Sequence, residues 1–460
     1  MVVDALTRDT MPSGEGDLTI EGHGIEPIPA AARYGSVYRL FTVWFTPNLV
    51  PAAFALGALA AVIGLGFVSG LLAIIVGNII GGGIVAILST IGPKVGLGQI
   101  PITRLSFGKS IVVPGMINWL STIAWDAINA FFGAYAIQVL TGGAIPFWLG
   151  LLIVIVCQAG LSVVGYEAIH TFEKYAAIGL AILFAVVTVA LLPKANFGMT
   201  GSGDNLANFV LVTTIVGSFN LGWALYASDY SRYLPASTSS MRVALYSFLG
   251  IAVSALWIEV LGLATVGAVA DATVDPVHQI DALLGGGIIS AVAMIAIFFG
   301  TVAVNAMNDY SGSLSLLAAG IKVWRPVSAL IVGVLSFLAT LWLYSQNFNS
   351  TFESYLLLIT YWIGPWSAIV LVDWQLRKHS PAGADHVSDF RLLPSGRNAL
   401  LSLAIGFLVS IPFISQYPTF VGPAADKLGG ADIAYVIGFI VAGAIYWAAE
   451  RYVSKTSVPA

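Results

Sequence analysis

The sequence predicts an all-α integral membrane protein with twelve transmembrane helices, and three observations lead to that class. Of 460 residues, 58% are hydrophobic and only 9% charged, against roughly 25% charge in a soluble domain. The mean hydropathy is +0.90. Apolar stretches of bilayer length recur through the chain, and basic residues collect in alternate connections between them. The net charge of −4 says little, because in a membrane protein the placement of charge matters more than its sum. The single cysteine, Cys157, lies in an apolar run; it gives no disulfide framework and reads as a packed thiol.

Residues 1–38 are polar, acidic and rich in Gly and Pro, with no basic stretch leading into an apolar core. They read as a mostly disordered cytoplasmic tail rather than a cleaved signal peptide. No charge separates Arg39 from Lys94. As one helix that stretch would reach about 80 Å, against about 30 Å of hydrocarbon, so two spans fit there. They are 40–63 and 67–91, turning at Ile63-Gly64-Leu65-Gly66. The same reasoning gives spans at 112–140, 146–165, 172–193, 207–228, 244–269, 286–319, 327–345, 353–375, 398–415 and 432–449. With the N-terminus inside, the inner segments hold seventeen of the nineteen Lys and Arg residues, leaving Lys194 and Lys427 outside. One span more or fewer would flip the parity and destroy that bias. The connection bearing Asp271, Asp275 and Asp281 has no basic residue, as an outer loop should. The expectation is a multi-pass protein of the plasma or inner membrane with both termini cytoplasmic.

Two spans look broken. The first holds Thr46-Pro47-Asn48-Leu49-Val50-Pro51, where prolines remove amide donors. The sixth holds Val216-Gly217-Ser218-Phe219-Asn220-Leu221-Gly222-Trp223. Irregular backbone at membrane depth survives where it lines a cavity, and breaks at matching positions of two halves point to an inverted-repeat transporter. The units would be 39–193 and 206–376, five helices each, followed by two accessory helices over 396–453 and a tail at 454–460.

The third span carries Trp125, Asp126 and Asn129 near its middle. Trp125 and Asn129 are i and i+4, hence on one face, where an indole beside a carboxamide suits a flat heteroaromatic ring. In the eighth span Thr301, Asn305 and Asn308 form one stripe with Asp309 at its edge. Their oxygens suit sodium, and the Asn side chains also offer the paired donor and acceptor that a nucleobase edge requires. Inter-helix hydrogen bonding is the plainer reading of such residues. Asp126, Glu259 and Asp309 are the intramembrane acids, and the cost of a bare charge at that depth makes each a candidate proton carrier or a helix-to-helix bond. Gly77 to Gly83 reads as a close-packing surface. No zinc-protease signature, nucleophile elbow or Walker motif occurs, so neither an enzyme nor an ATP-driven pump has support.

The chain resembles the nucleobase:cation symporter-1, or purine-cytosine permease, family, and most closely its cytosine/purine branch. The stretches that carry the likeness run in order along it. They are Trp44-Phe45-Thr46-Pro47-Asn48 with Phe54-Ala55-Leu56-Gly57, the run from Gly92 through Lys94, Gly96 and Gln99, and Arg104-Leu-Ser-Phe-Gly108. Trp125-x-x-x-Asn129, Ala227-Ser-Asp229-Tyr-Ser-Arg232-Tyr, and Trp362-Ile-Gly-Pro365-Trp366 with Asp373 follow. The resemblance implies a leucine-transporter-type fold, a 5+5 inverted repeat plus two C-terminal helices, working by alternating access. It implies that Trp125 stacks on the base, Asn129 bonds its edge, and Phe219 or Trp223, with Ser218 beside them, closes the opposite face. Asn305 or Asn308 would contact ring nitrogens and the exocyclic group. For cation coupling it points to Asn48, Asp126, Thr301 and Asp309, with a sodium ion near Asn48 and Thr301 as one candidate. Ala306 and Met307 stand where some sodium-coupled members carry threonines, which makes a proton at least an equal candidate. The implied activity is import of cytosine or purines by symport with a proton or sodium, with no cofactor and no nucleic-acid partner. A permease for allantoin, a hydantoin, uracil or a pyridine- or thiamine-type vitamin is the alternative, and an uncoupled channel or receptor is the rival of another class.

Overall fold

The computed structural model describes residues 24–453 apart from 165, 269–273, 324, 381, 382, 417 and 418. The expected tail up to residue 23, the tail from 454 and Asp271 lie outside the described residues.

Each of the twelve expected spans contains helix. The first is α1 (Arg39–Phe45) with α2 (Pro51–Val62), and the second is α3 (Phe67–Ser89). A short α4 (Gln99–Phe107) leads into α5 (Val112–Leu140), α6 (Phe147–Val164) and α7 (Tyr166–Leu191). Then come α8 (Leu206–Gly222), α9 (Ser240–Thr265), a short α10 (Pro276–Leu284) and α11 (Gly287–Ala318). The chain ends with α12 (Arg325–Tyr344), α13 (Phe348–Leu376), α14 (Arg397–Ser410) and α15 (Ala434–Ala448). Among the described residues, eight helices are each long and apolar enough to cross a membrane, and the bent pair α1–α2 makes a ninth. The other three, α6, α14 and α15, are apolar but shorter. Residues Ser415–Gln416 and Phe420–Val421 add a two-stranded antiparallel ladder that the all-α reading did not contain.

The first break falls where the prolines put it. A 3-10 turn over Thr46–Asn48 runs into Leu49 at φ −83°, ψ 63°, and α1 and α2 meet at a 60° bend. Pro51 occupies the first turn of α2, where its missing N–H costs nothing. The second expected break is corrected. The helix runs unbroken through Val216 to Gly222 and gives way only afterwards, to a 3-10 turn over Trp223–Tyr226 and irregular turns beyond. Its glycine is a packing residue instead: Gly217 lies against α3, where a Cβ on Gly81 would sit 2.3 Å from the Gly217 carbonyl oxygen.

Small residues let helices touch backbone to backbone, the usual basis of association in lipid. A Cβ on Gly57 of α2 would sit 1.7 Å from the Glu259 carbonyl oxygen, and one on Gly262 of α9 would sit 2.0 Å from that of Phe54. These contacts lock α2 to α9, while α5 lies along α11 and α3 packs on α8 and α9. Residues 24–38, expected as part of the polar tail, are tied to the basic face. Ile28 is buried, its N–H donates to Gly96 O at 2.9 Å, and Arg33 donates to Pro93 O at 2.7 Å.

Candidate functional site

Between the bend of α1–α2 and the helices α5, α8 and α11 lies a small, nearly closed cavity. Pro47 and Val50 come from the bend, Trp125 and Asn129 from α5, and Phe219, Gly222, Trp223 and Tyr226 from the end of α8 and its 3-10 turn. Val304 and Asn308 of α11 complete the wall. The bend matters because it removes a helical turn that would otherwise fill this space. Gly222 matters because it lets the indole lie flat on the backbone: a Cβ there would be 3.3 Å from Trp125 Cζ2.

The walls close on one another. Trp125 meets Phe219 edge to face with ring centroids 5.8 Å apart at 74°, and meets Tyr355 of α13 at 5.2 Å and 81°. An edge-to-face pair is a favourable resting contact; a planar ligand that stacks on the indole must displace Phe219. The Asn129 carboxamide has no hydrogen-bond partner among the described residues and faces the cavity, whereas its backbone oxygen accepts from Thr301 Oγ1 at 3.3 Å.

Of the seven residues expected to contact a base, the structure brings Trp125, Asn129, Phe219, Trp223 and Asn308 to the cavity wall. Ser218 and Asn305 are not on it. Ser218 Oγ donates to its own helix at Thr214 O, 2.6 Å away. Asn305 Nδ2 donates to Gln158 Oε1 at 2.7 Å and to Asp126 O at 3.1 Å, so its amide fastens α11 to α6 and α5. The helical stripe is real, but it turns from the cavity toward neighbouring helices one turn above Asn308.

The residues expected to couple a cation fall in two places. Asn48 Nδ2 donates to Trp44 O at 2.9 Å, and its Oδ1 accepts from Trp223 Nε1 at 3.1 Å; with Thr301 bonded to Asn129 O, both are used within the protein. Asp126 and Asp309 lie side by side behind the cavity, fully and nearly fully buried. Asp126 Oδ1 accepts from Asn308 Nδ2 at 3.0 Å, while Asp126 Oδ2, both Asp309 oxygens and Gln158 Nε2 form no well-aligned hydrogen bond among the described residues, although Gln158 and Ser162 lie next to Asp309. Sequence reasoning passed over Gln158, Tyr226 and Tyr355. Gln158, a lone amide in the apolar run of α6, was the one readable signal.

Toward the basic face the site is shut. Asp229 accepts from the Gln99 N–H at 2.7 Å and from Ser311 Oγ at 2.5 Å, and Arg232 donates to the Tyr310 hydroxyl at 2.7 Å. These bonds join the segment after α8 to α4 and α11. Arg104, buried, donates to the carbonyls of Leu317, Ala318, Val387 and Ser388 and holds that face together.

Residues 27–438 match the family described as permeases for cytosine/purines, uracil, thiamine and allantoin. The chain is 29% identical to the purine-cytosine permease fcyB of Emericella nidulans over 94% of its own length and 88% of that protein's. It is 30% identical to the putative purine-cytosine permease YxlA of Bacillus subtilis, covering 94% and 96%. The vitamin B6 transporter TPN1 of Saccharomyces cerevisiae is 20% identical, covering 86% and 80%. Among solved structures, Mhp1, a nucleobase-cation-symport-1 family transporter closed on bromovinylhydantoin, superposes with a TM-score of 0.77 at 18% identity, covering 95% and 96%. A sodium-coupled sialic acid symporter superposes at 0.60 with 13% identity, covering 92% and 91%.

Proposed function

The chain belongs to the family of permeases for cytosine/purines, uracil, thiamine and allantoin, and from that premise we propose that it imports cytosine and/or purines such as adenine, guanine and hypoxanthine by symport with a cation. It is a multi-pass membrane transporter of nucleobase-type substrates with the leucine-transporter-type fold, not an enzyme. The observation that carries the finer reading is the cavity itself, an aromatic-walled space at a broken helix with two carboxamides turned to its edge. Trp125 stacks on the ring, Phe219 moves to cover the other face, and Asn129 and Asn308 bond the edge.

A bound base bridges the bend of α1–α2, the end of α8, and the faces of α5 and α11. It therefore favours the closed arrangement of these elements over either open one, and a cation that binds the outward form better makes its gradient drive net import. The basic face is the cytoplasmic one on this reading, with both chain ends there. The cation is a proton at Asp126 and Asp309 or sodium near Asn48 and Thr301. The occupied hydrogen bonds of the second place favour the first.

The test is uptake of labelled cytosine and adenine by purified protein in proteoliposomes, with proton and sodium gradients imposed separately. Accumulation above equilibrium of at least one base supports the reading, and no uptake of any base overturns it. The second reading, a permease for a pyridine vitamin, rests on the likeness to TPN1. Pyridoxine competing better than every base would favour it.

A further inference from the structure

We propose that the co-transported cation is a proton shared between Asp126 and Asp309, and that this proton holds the Asn308 carboxamide in the orientation that accepts from the amino group of a base. The inference rests on the nucleobase-permease reading above. Its geometry is on three helices. Asp126 comes from α5, Asn305, Asn308 and Asp309 from α11, and Gln158 from α6; all are at least nine-tenths buried. Among the described residues no Lys, Arg or His bonds either carboxyl. The titratable groups that face the pair are the phenols of Tyr226 after α8 and Tyr355 of α13. The remaining neighbours, Gln158 and Ser162 of α6 and Ser336 of α12, carry no charge.

Two adjoining carboxylates with no basic partner cannot both stay ionised in such a place. One proton between them turns a repulsion into a hydrogen bond. The unpartnered atoms gather here: Asp126 Oδ2, both oxygens of Asp309 and Gln158 Nε2. The three carboxyl oxygens leave room for a donor that a single proton supplies, and the Gln158 amide stands beside them as a further donor.

Asn308 links this proton to the cavity. Its Nδ2 donates to Asp126 Oδ1 at 3.0 Å and more weakly to Asn305 Oδ1 at 3.5 Å. With both N–H groups directed at the acid side, its Oδ1 is the atom offered to the cavity, where it accepts from the exocyclic amine of cytosine or adenine. Loss of the proton sets the two acids against each other, parts α5 from α11 and takes away the anchor of Asn308. The balance of a cycle is one proton taken from outer water onto a carboxylate oxygen and the same proton returned to inner water, with no other bond made or broken.

Infrared spectroscopy of the full-length E259Q protein reads the pair directly, because the third intramembrane acid is then silent. The expected result at neutral pH is a carbonyl band of a protonated carboxyl that moves on carbon-13 labelling of aspartate and disappears in D126N/D309N. If the double variant does not fold, loss of the band in D126N or in D309N alone decides, because the label also marks the buried Asp229, Asp373 and Asp432. Absence of such a band overturns the proposal whether or not any base is transported. In proteoliposomes, accumulation of base driven by a pH gradient should fall at least tenfold in D309N. Undiminished pH-driven accumulation by D309N, or accumulation driven by sodium alone, also overturns it. Failure of every base to be transported while the band is present would instead count against the nucleobase reading.

Discussion

Replacing Asn129 with alanine separates recognition from folding. The Asn129 side chain bonds nothing among the described residues, and the backbone oxygen that Thr301 uses is unchanged by the substitution. The fold should therefore lose little. A bound base loses more. A neutral hydrogen bond contributes about 0.5–1.5 kcal/mol, and a buried polar group left without its partner costs about 1–3 kcal/mol. A carboxamide that meets one donor and one acceptor on the base is therefore worth roughly 2–5 kcal/mol, or about 30-fold to several-thousandfold in affinity. The assay pairs equilibrium binding of labelled cytosine and adenine with gel-filtration yield. N129A should run as a monodisperse peak at near wild-type yield with base binding below detection. Binding within threefold of wild type would refute the assignment, and a collapse in yield would show that the amide has a structural partner. N305A should do the reverse, because it strands Gln158 and the Asp126 carbonyl: its yield should fall first.

Other perturbations follow from the same contacts. W125A removes the stacking surface, worth about 1–3 kcal/mol per base, and should weaken binding roughly 5- to 150-fold; W125F should retain most of it. G57V drives a side chain into the Glu259 carbonyl and should abolish the folded peak altogether, whereas a valine at the open Gly83, which has nothing within 4 Å of its Cβ, should be tolerated. His278 on α10 bonds Asp275 at 2.7 Å, and that bond holds its pKa above the ordinary 6.5 against the opposing pull of partial burial. The stabilisation is therefore fully present below about pH 6.5 and fades as pH rises through the raised value. The melting temperature of H278Q should trail wild type more at about pH 5.5 than at about pH 8.5; equal gaps would contradict this.

Hydropathy and charge parity made the helices legible, because lipid leaves few alternatives to a long apolar helix. Pro47 and Pro51 made the first break legible for the same covalent reason that makes it structural. The glycines of the sixth span misled, since Gly217 serves close packing and nothing local distinguishes a packing glycine from a breaking one. Helical periodicity put Thr301, Asn305 and Asn308 on one stripe but could not say that a stripe on a 32-residue helix meets the cavity at Asn308 and other helices at Asn305. Ser218 was lost to a bond within its own helix, a choice that short hydroxyls always have. Gln158 comes from an apolar run and Tyr355 from a helix start whose polar residues suggest no site, and only the packing of α6 and α13 brings them beside Asp309 and Trp125.

A density map of the protein with cytosine or adenine bound tests the base site most directly. A ring sandwiched at about 3.5 Å from each neighbour requires Trp125 and Phe219 to move from 5.8 Å apart at 74° to roughly 7 Å and near parallel, with the base edge on Asn129 and Asn308. A base found elsewhere, with Trp125 and Phe219 still edge to face, would contradict the account.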